Sequence, residues 1–256
     1  MTLPQGITLV IPAHNEEQGL PRVMDGLSAL KTALPCPLQV VVVNDGSTDG
    51  TAVALKGRSD VTVVDHPRSM GYGRSIKDGI SKAEHDWIVI ADADGTYPLA
   101  ALPALLREAE DADMVVGRRK DFGYGRALWF VHLARHTVYG IAHFITGHPI
   151  PDLNSGFRLF RREMAREYEA SLCEGFSYTT TLTLMSLFHG KRVRYLPIDY
   201  AKRIGSSKVK LCRDTTRVLA VMFWLGLRHR PWRMAAVILA VSGIVSFTAA
   251  FLAGRA

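Results

Sequence analysis

The chain has 256 residues, 48% of them hydrophobic, and a formal net charge of +7. That length and apolar content suit one sizeable core, or one domain plus an appendage, and exclude a disordered polypeptide. Cys36, Cys173 and Cys212 are scattered, odd in number and without metal-ligand spacing, which predicts reduced cytosolic thiols rather than a disulfide framework or a zinc site.

Residues 1–6 show no basic region followed by an apolar one, so no secretory signal is expected. Short apolar runs at Ile7–Ile11, Leu38–Val43, Val61–Val64, Trp87–Ala91 and Met114–Val116 read as strands. Helical patterns fit between them at about Glu17–Lys31, Thr51–Arg58, Gly73–Ala83 and Leu99–Glu110, and Trp129–Thr146 reads as a further apolar helix. The alternation predicts an α/β fold with a mostly parallel sheet and helices on both faces. Ligands of such sheets bind at the carboxyl ends of the strands. Polar runs follow three of the predicted strands: Pro12 to Glu17, Asn44 to Asp49, and Asp92-Ala93-Asp94.

Toward the C-terminus, Lys191, Arg192, Arg194, Lys202, Arg203, Lys208, Lys210, Arg213 and Arg217 are opposed only by Asp199 and Asp214. Beside an apolar segment, such a cluster suits anionic lipid headgroups better than nucleic acid, and no aromatic-and-basic recognition motif supports the latter. The run Val218–Leu227, with Trp224 inside it, reads as a helix lying in a membrane interface. Met234–Ala253 is twenty residues without a charge, bracketed by Arg233 and Arg255. At ~1.5 Å per helical residue it spans roughly 30 Å, the thickness of a bilayer core, so a transmembrane helix is predicted, with a buried core helix as the alternative. Arg228, His229, Arg230 and Arg233 precede it, which places the N-terminal domain in the cytosol by the positive-inside rule.

Asp92 and Asp94 form the pattern with the most chemical content. Two carboxylates one residue apart at the end of a buried strand offer hard oxygen ligands to Mg²⁺ or Mn²⁺, which can bridge the phosphates of a nucleotide. Standing alone, the same pattern is an acidic turn closing a strand. The first strand–helix loop lacks Gly-x-Gly-x-x-Gly, and no Gly-x-x-x-x-Gly-Lys-Ser/Thr loop occurs, which argues against dehydrogenase and P-loop readings.

Taken together, VIPAHNEE (Val10–Glu17), VVVNDGSTDGT (Val41–Thr51), ADADGTYP (Ala91–Pro98), DLNSGFRLFRR (Asp152–Arg162) and KRIGSSK (Lys202–Lys208) resemble family 2 glycosyltransferases. More narrowly, they resemble the polyprenyl-phosphate branch typified by dolichol-phosphate mannose synthase. The resemblance covers about residues 7 to 210. It implies a GT-A-like fold and an inverting transfer of a hexose from a UDP- or GDP-linked sugar to polyprenyl phosphate at the cytosolic membrane face. The alternatives are a family 2 transferase acting on a glycan or another lipid, and a non-catalytic nucleotide-binding membrane adaptor.

What the resemblance implies for individual residues is as follows. Pro12, His14, Asn15 and Glu16 border the nucleotide base and ribose, although a surface-loop role remains open for His14. Asp45 contacts the base, and Gly71 lies in the segment His66–Gly79, which resembles the family's Asn-x-Gly-x-Gly stretch with Ser69 for Asn. Asp92 lies near the ribose and diphosphate, and Asp94 is a direct ligand of Mg²⁺ or Mn²⁺. Thr96 stands where many mannose synthases have Gln, which leaves the sugar open. Arg119 and Arg135 meet the acceptor phosphate, and Asp152 positions it or acts electrostatically, with a general-base role as the lesser option. Arg203 and Lys208 cover the donor diphosphate.

The expected organisation is a GT-A domain at 1–210, an amphipathic juxtamembrane segment at 211–232 and a transmembrane helix at 233–254. The protein is thus expected at the cell membrane as a single-pass enzyme with its catalytic domain in the cytoplasm. Its expected partners are a nucleotide sugar, a polyprenyl phosphate and the membrane, without nucleic acid, and with assembly into a homo-oligomer left open.

Overall fold

The computed structural model describes residues 4–120, 129–203 and 211–253. The sheet has seven strands: β1 (Ile7–Ala13), β2 (Leu38–Asn44), β3 (Thr62–Asp65), β4 (Trp87–Ile90), β5 (Met114–Arg119), β6 (Arg158–Arg161) and β7 (Val193–Ile198). They lie in the order β3-β2-β1-β4-β6-β5-β7. All neighbours are parallel except β6, which runs antiparallel between β4 and β5.

Every residue of β1 is buried, as expected of a central parallel strand covered on both faces. Its register sets the edge where the site forms. Ala13 pairs with Asn44 of β2, and Val10 pairs with Ile90 of β4. The chain therefore leaves β1 at His14, β2 at Asp45 and β4 just before Asp92, all on one side of the sheet. Pro12 is buried within β1 opposite Val43, beyond the last pair with β4.

The helices are α1 (Leu20–Ala33), α2 (Thr51–Leu55), α3 (Tyr72–Ser81), α4 (Leu102–Glu108), α5 (Trp129–Thr146), α6 (Arg162–Glu167), α7 (Tyr178–Phe188), α8 (Leu211–His229) and α9 (Pro231–Ala253). α1 starts later than its periodicity suggests, because Glu16 to Gly19 form a turn in which the Glu16 carbonyl accepts both the Gly19 and Leu20 N–H groups. Pro21 then fits the first turn, where no N–H is required.

One sheet face buries Leu20, Val23, Leu27 and Leu30 of α1 with Leu102, Leu105 and Leu106 of α4 against β1, β2 and β4. The other face carries Ile76 and Ile80 of α3, Met164 of α6 and Leu182 of α7. α3 lies very close to β1: a Cβ at Gly79 would stand 2.4 Å from Val10 Cγ1. Gly79→Ala is therefore expected to cost about 1–3 kcal/mol through overpacking, outweighing the gain in helix propensity. Urea unfolding checks this, and an unchanged midpoint would show that α3 shifts freely.

α7 is a helix although its Thr-rich sequence suits a strand. Buried hydroxyls bond back one turn, from Thr181 to the Ser177 carbonyl at 2.8 Å and from Thr183 to the Thr179 carbonyl at 2.9 Å, so these two threonines are satisfied within the helix.

The C-terminal region corrects the expectation of a membrane-spanning helix at 233–254. α9 does run unbroken from Pro231 to Ala253, but among the described residues no helix is long and apolar enough to cross a membrane. The side chains of 244, 245 and 247–252, and residue 254 itself, lie outside that description. The first turns of α9 are spent on packing within the protein. Met234 and Val237 join Val138, Ala142 and Ile145 of α5, Leu184 and Leu187 of α7, and Val218 and Met222 of α8 in one apolar cluster. α8, placed from sequence in a membrane interface, buries this stripe and exposes Leu219, Phe223, Trp224 and Leu227.

The basic stretch does not form one open patch. Arg194 pairs with Glu108 at 2.8 Å, and Lys191 pairs with Glu167 at 3.2 Å. Lys208, Lys210 and the side chain of Arg213 lie outside the described residues.

Candidate active site

The site forms where β1, β2 and β4 end. In the first loop, His14 Nδ1 lies 2.7 Å from the Asp45 carbonyl, so this nitrogen carries the proton and donates. Asn15 adopts φ +52°, and its side-chain oxygen accepts the Thr48 N–H at 2.7 Å while its own N–H reaches Ser47 Oγ at 3.0 Å. The Glu16 N–H donates to Thr51 Oγ1 at 2.8 Å. His14, Asn15 and Glu16 therefore knit the first strand-end loop to the second. Pro12 lies inside the sheet and supports the site from behind.

Asp45 is only 4% exposed and accepts four hydrogen bonds. Its Oδ1 takes His66 Nδ1 at 2.8 Å and the Met70 N–H at 2.7 Å. Its Oδ2 takes the Ser69 hydroxyl at 2.8 Å and the Gly71 N–H at 3.0 Å. Burial alone would raise its pKa, but these donors outweigh burial and hold the carboxyl below its ordinary value. Gly71, at φ +104°, is the residue that lets the backbone turn into α3 here, and a Cβ would stand 2.7 Å from the Glu174 carbonyl.

Asp92 and Asp94 lie in the turn after β4. Asp94 is 3% exposed; its Oδ1 accepts the Thr96 N–H at 3.0 Å and the Thr96 hydroxyl at 2.7 Å. Thr96 thus orients the carboxylate from two residues away, leaving Oδ2 for Arg203 Nη1 at 3.1 Å. The same guanidinium pairs through Nη2 with Glu16 Oε1. Asp92 Oδ1 accepts the Tyr72 hydroxyl at 2.9 Å. Burial first, and then the neighbouring Asp94, push the Asp92 carboxyl up to about 7, against Tyr72, Arg119 and Arg203. Two carboxylates held this close invite a cation. Among the described residues, no group of three or more His, Cys, Asp or Glu side chains converges. The donor set fits Mg²⁺ or Mn²⁺, which take one or two protein carboxylates and complete their shells with phosphate oxygens and water.

The third part is the loop between α5 and β6. Asp152 is fully buried and receives a bidentate grip from Arg119, Nε at 2.9 Å and Nη2 at 2.8 Å, together with the Arg119 N–H at 3.2 Å. Burial works against the guanidinium cation, but the bonds to Asp152 prevail and hold its pKa above the ordinary value. Arg119 thus holds a protein carboxylate, and both oxygens of Asp152 accept from it. Arg135 sits on α5, half-buried and one turn before Tyr139, whose hydroxyl lies 3.5 Å from Asp152 Oδ1. Arg203 joins the first loop to the metal motif, whereas Lys208 lies outside the described residues.

Sequence reasoning missed several supporting side chains. The Tyr97 hydroxyl accepts the Gly156 N–H at 2.7 Å, and its ring stacks on Phe157 at 5.7 Å, tying the Asp94 turn to the Asp152 loop. Arg158 is completely buried and donates to the carbonyls of Ser155 and Thr179 and to Thr183 Oγ1, fastening that loop to α7. Tyr72 stacks on Phe176 with ring centroids 5.6 Å apart. The motif spacing signals the Gly-Tyr-Gly turn and the Asn-Ser-Gly-Phe-Arg run, but not which carboxylate or carbonyl each side chain reaches.

Comparison with known proteins agrees with this geometry. The family model described as glycosyl transferase family 2 matches residues 8–169. The chain is 28% identical over 246 residues to an undecaprenyl-phosphate mannosyltransferase of Micrococcus luteus, covering 88% of this chain and 98% of that protein. It is 27% identical over 249 residues to a polyprenol monophosphomannose synthase of Mycolicibacterium smegmatis, covering 91% and 92% of the two chains. In fold it is similar to glucosyl-3-phosphoglycerate synthase from Mycobacterium tuberculosis, solved with Mn²⁺, UDP-glucose and phosphoglyceric acid. That match has a TM-score of 0.69 at 20% identity over 87% of this chain and 80% of the other, and supports a GT-A-like α/β architecture. By motif order, sheet topology and relatives together, the chain belongs to glycosyl transferase family 2, alongside members named for transfer to polyprenyl phosphates.

Proposed function

We propose that the protein transfers a hexose from a UDP- or GDP-linked donor to a polyprenyl phosphate, with inversion at the anomeric carbon. The observation that carries this reading is the turn after β4, where Asp94 meets Arg203 and Asp92 meets Tyr72 at the carboxyl edge of the sheet. The base and ribose lie against His14, Asn15 and Asp45, and the diphosphate lies toward Asp92 and Asp94. Mg²⁺ or Mn²⁺ bound to these carboxylates supplies charge neutralisation for the departing nucleoside diphosphate.

The protein's own groups do the rest. Arg203 moves from Asp94 and Glu16 to the diphosphate, joined by Lys208. An acceptor phosphate oxygen attacks the anomeric carbon as the bond to the diphosphate breaks, and the electron pair leaves with the nucleotide. A phosphate monoester is already anionic near neutral pH, so no general base is required. Asp152 therefore serves by fixing Arg119, which presents one edge of the acceptor site, and Arg135 adds positive charge from α5.

A membrane surface is the natural place for such an acceptor. The exposed Leu219, Phe223, Trp224 and Leu227 of α8 and Trp232 of α9 stand beside Arg228, Arg230 and Arg233, a combination that suits an anionic interface. The catalytic domain spans 1–210, followed by an interfacial helix at 211–232 and a trailing helix at 233–254, with catalysis on the cytosolic side.

The test is transfer of radiolabel from UDP-glucose, UDP-N-acetylglucosamine and GDP-mannose to undecaprenyl or dolichyl phosphate in detergent, with Mg²⁺, Mn²⁺ or EDTA. Metal-dependent label in the lipid fraction is the expected result. Label only on a phosphate-free acceptor would overturn the polyprenyl-phosphate assignment and favour a glycan or other lipid as substrate.

A further inference from the structure

We propose that His66 is a positioning residue for the nucleotide site: it fixes the Asp45 carboxylate through Nδ1 and is itself anchored to α3 through Nε2. The inference rests on the reading of Asp45 as part of the nucleotide site.

His66 is 9% exposed, and both of its ring nitrogens meet carboxylates, Nδ1 to Asp45 Oδ1 at 2.8 Å and Nε2 to Asp78 Oδ2 at 3.0 Å. Both ring nitrogens therefore lie within hydrogen-bond reach of carboxylate oxygens, and the ring is bracketed by two acidic side chains. Asp78 in turn accepts Arg74 Nε at 2.7 Å, which balances the second carboxylate. The result is a continuous hydrogen-bonded run from the end of β2, through the loop after β3, to the middle of α3. Asp45, Asp78 and Arg74 are the charged groups in this run.

The other three donors to Asp45 differ from His66 in kind. Met70 and Gly71 donate through backbone N–H groups, and Ser69 through a hydroxyl, all from one short loop. With two donors on each oxygen, the carboxylate is saturated. Of the four, only the Ser69 hydroxyl can turn away without moving backbone or a buried ring. An incoming N–H from a nucleobase therefore gains access at Oδ2, by displacing Ser69. This exchange is productive only while Oδ1 stays fixed, and among the described residues His66 is the donor to Oδ1 whose side chain is itself anchored to α3, through Asp78. A histidine that merely filled space would need neither carboxylate, and the buried Asp45 carboxyl beside it is costly unless it is hydrogen-bonded.

The experiment uses nucleotide binding by the full chain, measured by titration calorimetry with UDP and with GDP in MgCl₂, alongside thermal unfolding. His66→Asn retains a donor where Nδ1 stood, whereas His66→Gln carries its amide farther out toward Asp78. Both variants are expected to lower the unfolding temperature. His66→Gln is expected to weaken binding of the nucleotide the wild type prefers about tenfold, and His66→Asn to restore it to within about threefold. Equal affinities in both variants, or losses that follow the unfolding temperature instead of the donor position, would overturn the inference. Asp78→Asn, at a site with 25% side-chain exposure, keeps the test open if His66 variants do not fold. It is expected to weaken binding about threefold, and unchanged affinity there would also overturn the inference. A wild type that binds neither UDP nor GDP would instead refute the nucleotide-site reading itself.

Discussion

Asp94→Asn is expected to lower sugar transfer by about 10²–10³-fold while leaving the protein folded, the magnitude typical of losing one preorganised electrostatic contact to a developing charge. The amide oxygen can keep both bonds from Thr96, at 3.0 and 2.7 Å, so the turn after β4 retains its shape. The amide nitrogen, however, takes the place of Oδ2, where Arg203 now sits at 3.1 Å, and opposes a donor with a donor. It also removes one of the two carboxylates available to a divalent cation. Two measurements check the prediction: transfer of label to the lipid fraction, and Mn²⁺ binding in the presence of nucleoside diphosphate. Both should fall together. Transfer within tenfold of wild type would remove Asp94 from the metal-binding role.

Arg119→Met is expected to destabilise the protein by about 3–5 kcal/mol, because Asp152 would be left buried with its charge uncompensated. Among the described residues, Arg119 is the side chain that grips both oxygens of that fully buried carboxylate. Its backbone N–H at 3.2 Å, the Asn154 N–H at 3.3 Å and the Tyr139 hydroxyl at 3.5 Å would remain, none of them a cation to offset the buried charge. In a chain of this size about 2–4 °C of unfolding temperature is lost per kcal/mol, so the fall should be about 10 °C. Adding Asp152→Leu should recover most of it, since replacing both partners removes the orphaned charge as well as the attraction. Thermal unfolding of the two single variants and the double variant decides the matter. If Arg119→Met costs less than about 1 kcal/mol, the pair is not structural, and Arg119 is then available to a substrate phosphate.

These two predictions lie on different sides of what was legible in advance. The strands β1 to β5 and the helix at Trp129–Thr146 follow from apolar runs and helical period, since a buried parallel strand must be apolar on both faces. β6 and β7 escaped notice because each mixes charged with apolar residues: Arg158 and Arg161 in one, Arg194 in the other. Arg158 is nonetheless fully buried, its guanidinium satisfied by carbonyls that are distant in sequence. α7 was hidden by its threonines, whose hydroxyls find partners only once the helix exists.

The C-terminal helix illustrates the limit of hydropathy. The uncharged run from Met234 reads as a bilayer span with a core helix as the alternative, yet among the described residues no helix is long and apolar enough to cross a membrane, and Met234 and Val237 pack onto α5 and α8. Arg119 and Asp152 show the same limit in chemistry. A guanidinium and a carboxylate 33 residues apart each look open to a ligand in the sequence, and only the fold shows their mutual 2.8 Å contact.

The sequence by itself determined the α/β architecture, the family, and the identity of the residues at the ends of β1, β2 and β4, because strand periodicity and short motifs are local properties of the chain. Only the tertiary structure decided the pairing of those residues: Asp45 with His66, Asp94 with Thr96 and Arg203, Asp92 with Tyr72, and Asp152 with Arg119. Most of these partners are separated by tens of residues, and hydrogen bonds and ion pairs act over a few ångströms. Which carboxylate remains open to a ligand is therefore set by the register of the sheet and the packing of the helices on it.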